Sequence, residues 1–149
     1  MLTWEFINKY RIGICVGLTL LALLFIVVGH KYRDQVQTKL KKEFIKLPET
    51  TVDWWSISHI LLYMIFGFLI PDKHTTFLLI GVIFEVLEDM LSSDKTTQLV
   101  NCTDSINKNN IMCKFSINTD YWYGKWDDVF MNLLGYTLGS SARNTFCKI

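Results

Sequence analysis

The sequence predicts an all-α fold: a four-helix transmembrane bundle with an additional basic amphipathic helix on the membrane surface. Three observations support this prediction. Half of the 149 residues are apolar and only 19% are charged, which is typical of membrane proteins. Four apolar stretches are long enough to form helices. Tryptophan and tyrosine residues gather at the ends of these stretches, as at a membrane interface, so residues 1–149 are expected to form one membrane domain.

The four predicted spans follow one another along the chain. Residues 12–29 carry no charge and reach the length of about 18 apolar residues that marks a spanning helix. No small-x-small cleavage site follows them, so we expect this helix to be retained. Residues 54–71 end at a proline, and the short connection to residues 75–91 predicts an antiparallel helical hairpin. Residues 126–142 form the fourth span.

The additional helix is predicted over residues 34–47, between the first two spans. Val36, Leu40, Phe44 and Leu47 recur at helical spacing, and four lysines surround them. This pattern is typical of a basic amphipathic helix on an anionic membrane face. A solvated helix that packs on a partner protein has the same pattern, and the sequence leaves both interpretations open.

The polar loop at residues 92–125 carries two possible covalent features. Cys102 and Cys113 bracket a polar segment that a disulfide can close, and Asn101 begins a glycosylation sequon. Both features suit a lumenal or external compartment. Free thiols and an unmodified asparagine are the alternative.

Basic residues indicate the opposite orientation. The side of the predicted membrane that bears the first and third loops holds ten Lys and Arg residues, and the side with the termini holds five. The positive-inside rule then places the ten-charge side in the cytoplasm. We favour the charge count over the sequon, because six of the ten basic residues lie in the first loop, close to a span.

Carboxylates interrupt the third and fourth spans. Glu85 and Glu88 lie late in the third span, and Asp128 lies near the start of the fourth. A carboxylate at the middle of a bilayer costs about 2.5–3.5 kcal/mol, so each should face a partner, a cavity or water. The third helix is therefore expected to need neighbouring helices.

Polar residues also share single faces of three predicted helices. Residues three or four apart lie on one face of an α-helix. The second span begins, the third ends and the fourth begins on the same side of the predicted topology, so these faces can meet. They predict a polar pocket within the membrane, formed by His59, Tyr63, Glu85, Glu88, Asp128 and Asn132.

The fourth span also carries a pair of glycines. Gly135 and Gly139 are four residues apart, the small-xxx-small spacing that lets a second helix backbone approach closely. We expect this pair to serve helix packing.

Several chemical roles fit the polar pocket. A packing network shares the carboxylates with Asn, Tyr and His donors. A site for a lipid headgroup or another polar substrate would use Glu85 and Asp128 as acid and base candidates. An ion or proton path is a further alternative. A divalent-metal site is less favoured because no spacing such as His-Glu-x-x-His occurs, so no metal and no cofactor are predicted.

Residues 59–139 resemble the VanZ-like family of small polytopic membrane proteins. The matching features are His59 followed by Tyr63, Glu85 late in the next helix, and a D-x-x-x-N-x-x-G-x-x-x-G pattern that begins at Asp128. The resemblance implies a four-helix membrane protein in a family with members linked to glycopeptide resistance. Two features depart from the family pattern. An acid stands where a Gln is expected after Glu85, and the loop before Asp128 is long and lacks arginine.

Two functions are expected from these observations. In the first, the polar pocket binds a lipid-linked or amphiphilic molecule. In the second, the chain is a structural or accessory subunit of a large membrane complex or virus particle. The loop at residues 92–125 and the basic helix at residues 34–47 would then contact partner proteins. Membrane lipids are expected partners in both cases, and the net charge of +1 gives no reason to expect nucleic acid.

Overall fold

The computed structural model describes residues 4–46, 51–92, 121 and 124–146, and the structural statements that follow concern these residues. The all-α class is confirmed, because five helices and one small two-stranded sheet make up the described part of the chain. The elements in order are α1 (Trp4–Lys31), α2 (Arg33–Leu40), β1 (Glu43–Lys46), β2 (Thr51–Asp53), α3 (Trp54–Leu69), α4 (His74–Leu91) and α5 (Trp126–Phe146).

Helix α1 is the long apolar helix that the sequence predicts near the N-terminus. Its segment Glu5–Lys31 is, among the described residues, the one helix that is long and apolar enough to cross a membrane. Only 11% of its most apolar window is buried inside the protein, unlike the core helix of a soluble fold. Helix α3 is apolar but has only 16 residues. Helices α4 and α5 both contain acidic residues.

The predicted amphipathic helix over residues 34–47 is wrong in its second half. Helix α2 ends at Leu40, and β1 then pairs antiparallel with β2. Phe44 and Ile45 are residue types that favour strands, and the Phe44 ring meets the Trp54 ring edge-on at 4.5 Å. Strand pairing with residues 51–53 is therefore more favourable for residues 43–46 than the helix that their apolar spacing predicts. No residue of α2 is fully buried.

Helices α3 and α5 run parallel and form the closest contact between helices in the described structure. A Cβ atom on Gly135 would overlap the carbonyl oxygen of Ile60, and one on Gly139 would overlap that of Met64. Gly67 of α3 lies equally close to the carbonyl of Tyr136. The absence of side chains at these three positions lets the two backbones touch, as in small-residue interfaces within membranes.

Helix α4 packs antiparallel against this pair. It follows α3 after a short turn. The ring centroid of Phe77, near its start, lies 4.9 Å from that of Phe66 and 5.4 Å from that of Tyr136. Tyr63 packs edge-on against Phe66 at 5.6 Å. These rings form the apolar core in the half of the bundle that holds the α3–α4 turn, so the polar residues of the three helices meet in the other half.

Two side chains close the α3–α4 end of the bundle. The Tyr136 hydroxyl donates to the carbonyl of Ile70 and accepts from the backbone N–H of Lys73. The Arg143 guanidinium donates to the last carbonyls of α3, at Phe68 and Leu69, and to the Asn8 side chain. These bonds satisfy helix-end carbonyls that lack partners within α3. The Asn8 contact brings the start of α1 and the end of α5 to the same end of the molecule.

The polarity of this bundle is inverted relative to a soluble protein. Large apolar side chains lie on the outside, among them Leu79 and Ile83 on α4 and Phe130 and Leu138 on α5. Several polar and charged side chains lie inside, beside the apolar core around Phe66. The buried members of this second group are Asp53, Ser56, Glu85, Asp128, Asn132 and Ser140.

Candidate functional site

The polar side chains meet at the end of the bundle where α3 begins, α4 ends and α5 begins. Helical register brings them together: Ser56 lies beside Asp128 and His59 beside Asn132, because α3 and α5 run parallel. Helix α4 runs in the opposite direction, so its late residue Glu85 reaches the early residue His59. Three helix faces thus converge on one small volume.

His59 lies between an amide and a carboxylate. Its Nδ1 atom is 2.9 Å from Asn132 Oδ1 and 4.0 Å from Glu85 Oε1. Since Asn132 presents an oxygen, the matching tautomer of His59 carries its proton on Nδ1 and donates it. Nε2 is then left with a lone pair that can accept a proton or bind a metal ion.

Asp128 is anchored through Ser56. The Ser56 hydroxyl lies 2.9 Å from Asp128 Oδ1 and 3.1 Å from Asp53 Oδ1. One hydroxyl has a single proton, so it donates to one of these two acids at a time. Asp53 also accepts the backbone N–H of Ser56 and thereby caps the N-terminus of α3.

Lys125 supplies positive charge to the same cluster. Its backbone N–H donates to Glu85 Oε2 at 3.0 Å, and its Nζ atom lies 3.9 Å from Asp53 Oδ2. The ammonium also donates to the carbonyl of Thr51. One lysine immediately before α5 therefore ties α4 to the strand that precedes α3.

The second oxygen of Glu85 stands apart from these bonds. Glu85 is only 2% exposed, and its Oε1 atom has no hydrogen-bond partner. Within the described residues it is the one fully buried side-chain oxygen or nitrogen in that condition. Leaving a buried polar atom unpaired costs about 1–3 kcal/mol. Such an atom is a place where a water molecule, an ion or a ligand group can bind.

A small cavity opens beside the cluster. Its volume of about 20 Å³ is enough for about one water molecule or one ion, and too little for a whole lipid headgroup. The lining residues are Ile26, Trp55, His59, Glu88, Tyr121 and Asp128.

Tyr121 forms part of the wall of this cavity and joins it to α1. Its hydroxyl donates to the carbonyl of Ile26 at 2.8 Å, and its ring meets His30 edge-on at 5.3 Å. Burial, with a smaller contribution from the negative charge of Glu88, raises the pKa of Tyr121 to about 12. The phenol therefore keeps its proton at neutral pH and remains a donor.

Tyr63, a predicted pocket residue, lies farther along α3 than the cavity. It is buried, and a Cβ atom on Gly81 would come within 2.8 Å of both its hydroxyl and the Asn132 amide nitrogen. Tyr63 therefore packs under the polar cluster, where Gly81 leaves room for it. Gly135 and Gly139 lie in the α3–α5 interface rather than in the cluster.

Besides Ile26 and Trp55 in the cavity wall, the sequence interpretation missed four residues of this site: Asp53, Ser56, Lys125 and Tyr121. Asp53 and Ser56 show the spacing of a helix N-cap, which is a usable signal for the start of α3. Lys125 and Tyr121 act through contacts between distant parts of the chain, and their sequence neighbourhood gives no such signal. The predicted disulfide pair Cys102 and Cys113 and the sequon at Asn101 lie outside the described residues.

The comparisons with known proteins give no match. No family model, curated protein or solved structure matches this chain. The resemblance to the VanZ-like family therefore stays a prediction that rests on the quoted residues.

The chemistry available to the site follows from its charges. Four carboxylates, those of Asp53, Glu85, Glu88 and Asp128, converge near one lysine and one histidine. Acceptors thus outnumber cationic donors in a largely buried space. The arrangement is suited to holding a cation or a hydrogen-bond donor, and His59 and the carboxylates can exchange protons with such a ligand.

Proposed function

We propose that the protein is a multi-pass membrane protein in which α1, α3, α4 and α5 cross the bilayer and enclose a polar site. The observation that carries this proposal is the inverted polarity of the bundle. Glu85 and Asp128 are 2% and 5% exposed, whereas Ile83 and Phe130 on the same two helices are 58% and 62% exposed. An extensive apolar exterior favours contact with lipid, and acids in spanning helices face the interior.

The helix lengths are compatible with this proposal. At 1.5 Å per residue, α3 and α4 are about 24 and 27 Å long, slightly less than the hydrocarbon core of about 30 Å. Short spans are accommodated by local thinning of the bilayer and by interfacial side chains. Trp54 at the start of α3 and Trp126 at the start of α5 are exposed and of the type that settles at the interface.

We further propose that the site binds the polar headgroup of a lipid-linked or amphiphilic molecule. The site lies at one end of the bundle, near the depth at which headgroups reside. Its cavity admits one small polar group, so the rest of the headgroup would lie at the rim beside Trp55 and Tyr121. Trp55 would offer the apolar face of its ring there, since its indole N–H already donates to Gln37.

Retention of amphiphiles tests this function. The full-length protein is extracted from its native membrane in mild detergent, and bound lipids are identified by native mass spectrometry. Glu88→Gln and Trp55→Ala alter the cavity wall and should each release the bound molecule. Leu79→Ala on the exterior of α4 is the control and should retain it. Equal retention by all three variants and the unmodified protein, or no bound amphiphile at all, would contradict the proposal.

One observation favours a second candidate, a structural or accessory subunit of a membrane complex. Most polar atoms of the cluster bond within the protein, as in a network that only fixes packing, through Ser56, Lys125 and Asn132. The same detergent extract decides between the candidates. A discrete large assembly without bound amphiphile supports the subunit role, and a monomer with bound amphiphile supports the binding function.

A further inference from the structure

We propose that His59, Glu85 and Asp128 form a binding site for one divalent transition-metal ion, of the Zn²⁺ or Mn²⁺ type. One ligand atom from each of these residues lies within 4.8 Å of the other two. Two ligand atoms at about 2.1 Å from an ion are about 3.4 Å apart at a tetrahedral angle and at most about 4.2 Å apart, so binding would draw a pair that is 4.8 Å apart inward by about 0.6–1.4 Å. Side-chain rotation can supply that displacement.

The unpaired oxygen of Glu85 gives independent support. Glu85 is almost completely buried, and its Oε1 atom faces His59 Nδ1 at 4.0 Å without a hydrogen bond to any described residue. Its other oxygen already accepts the backbone N–H of Lys125. A buried carboxylate held by one oxygen, with the second directed into a cluster of ligands, is placed as a metal ligand would be.

The net charge of the cluster also favours a cation. The cluster carries up to four negative charges, on Asp53, Glu85, Glu88 and Asp128. The one nearby lysine, Lys125, already forms an ion pair with Asp53. Buried charges are found paired or bound to metal ions, because unpaired ones are strongly disfavoured. A divalent ion would neutralise most of the excess that Lys125 leaves.

The kind of ion follows from the ligands. One imidazole nitrogen with two carboxylate oxygens suits first-row transition metals, whereas Mg²⁺ and Ca²⁺ prefer oxygen alone. Three protein ligands leave a coordination position for water or a substrate, and the cavity beside His59 and Asp128 offers the space.

The surroundings orient all three ligands. The Ser56 hydroxyl lies 2.9 Å from Asp128, the Lys125 backbone donates to Glu85, and Asn132 holds the His59 ring through a contact of 2.9 Å at Nδ1. Outer hydrogen bonds of this kind fix the geometry of metal ligands. The inference deepens the proposed function, because a bound ion would give the site a positive centre for an anionic headgroup.

Metal binding is tested with the ion alone, so it can fail while amphiphile binding stands. The full-length protein, freed of any affinity tag and of metal by a chelator, is titrated with Zn²⁺ by calorimetry and with Co²⁺ by visible absorption. We expect one ion per chain and a d–d spectrum of bound Co²⁺. Glu85→Gln and Asp128→Asn should each weaken binding at least about tenfold. Asp127→Asn removes the same charge one residue away and should bind normally.

Thermal unfolding gives a second measurement of metal binding that also works for variants of lower stability. Zn²⁺ should raise the melting temperature of the unmodified protein and of Asp127→Asn, but not that of Glu85→Gln. The amide of Gln can still accept the Lys125 N–H, which helps this variant to fold. Absence of binding by the unmodified protein, or equal binding by Glu85→Gln, would overturn the metal site.

Discussion

At the scale of single residues, Glu85 combines a structural contact with an unsatisfied atom. Its Oε2 atom holds the start of α5 through Lys125, whereas Oε1 has no hydrogen-bond partner among the described residues. Pairing of this oxygen, or its replacement by an apolar group, would remove the cost. If the proposed site binds a ligand there, Glu85 combines a cost in stability with that role, a conflict that is typical of binding sites.

This conflict leads to a stability prediction for the metal-free protein. Glu85→Gln should raise the free energy of unfolding by about 1 kcal/mol, because it removes one of four carboxylate charges that lie near a single lysine and keeps an acceptor for the Lys125 N–H. Thermal unfolding in detergent, with a chelator present, measures the change. Asn132→Ala, which removes the partner of His59, is the comparison and should lower the melting temperature. A clear loss of stability in Glu85→Gln would show that the carboxylate serves packing alone.

Sequence spacing could identify His59, Glu85, Asp128 and Asn132, because helical periodicity tells which residues share a face. It could not tell which neighbour each face meets. The pairing of Ser56 with Asp128 depends on the register between α3 and α5, which close contacts at Gly135 and Gly139 fix. The unpaired oxygen of Glu85 likewise has no sequence signature. The absence of a compact ligand motif argued against a metal site, yet three separate helices bring the candidate ligands His59, Glu85 and Asp128 within 4.8 Å of one another.

At the scale of elements, the α3–α5 interface sets the relative positions of the site residues on these two helices. The two helices are parallel and separated by a connection that includes all of α4, so their contact is not imposed by a short loop. Close approach depends on glycines, and the carbonyl oxygens of Ile60 and Met64 occupy the space that side chains would need. Any displacement at this interface would also displace Asp128 and Asn132 from His59.

Substitution of one interface glycine tests this dependence. Gly139→Ala should destabilise the protein by about 1–3 kcal/mol, because the new methyl group overlaps backbone rather than a flexible side chain. Gly17→Ala on α1 is the matched control: nothing lies within 4 Å of its Cβ position, so stability should be maintained or slightly improved. Thermal unfolding of both variants in the same detergent measures the difference. Equal melting temperatures would contradict the role given to the interface.

The prediction over residues 34–47 failed at this scale for a physical reason. Apolar residues at helical spacing report only the local pattern, and Phe44 and Ile45 also favour strands. Pairing with Thr51–Asp53 provides backbone hydrogen bonds and a ring contact with Trp54 that a local pattern does not contain. The helices with long, consistent apolar faces were predicted to within a few residues, except that α1 begins eight residues before the predicted span.

At the scale of the whole molecule, the distribution of polar and apolar side chains between interior and surface bears on whether lipid or water surrounds the helices. The sequence predicted four spans, with the acids of the third and fourth facing a partner, a cavity or water rather than lipid. The structure places Glu85 and Asp128 inside and apolar side chains such as Ile83 and Phe130 outside. The proposed spanning of all four helices rests on this arrangement, since length and apolarity alone identify only α1 among the described residues.

The most direct test of the central claim measures what contacts the exterior of α4 and α5. Single nitroxide labels are placed at Ile83, Phe130 and Leu134 in a background whose four native cysteines are replaced by alanine. The protein is reconstituted in lipid bilayers, and accessibility to oxygen and to a water-soluble nickel chelate is measured by electron paramagnetic resonance. A label at Lys73 in the α3–α4 turn is the water-exposed reference. We predict high oxygen and low chelate accessibility at the three exterior positions. Chelate accessibility as high as at Lys73 would contradict a membrane-embedded bundle.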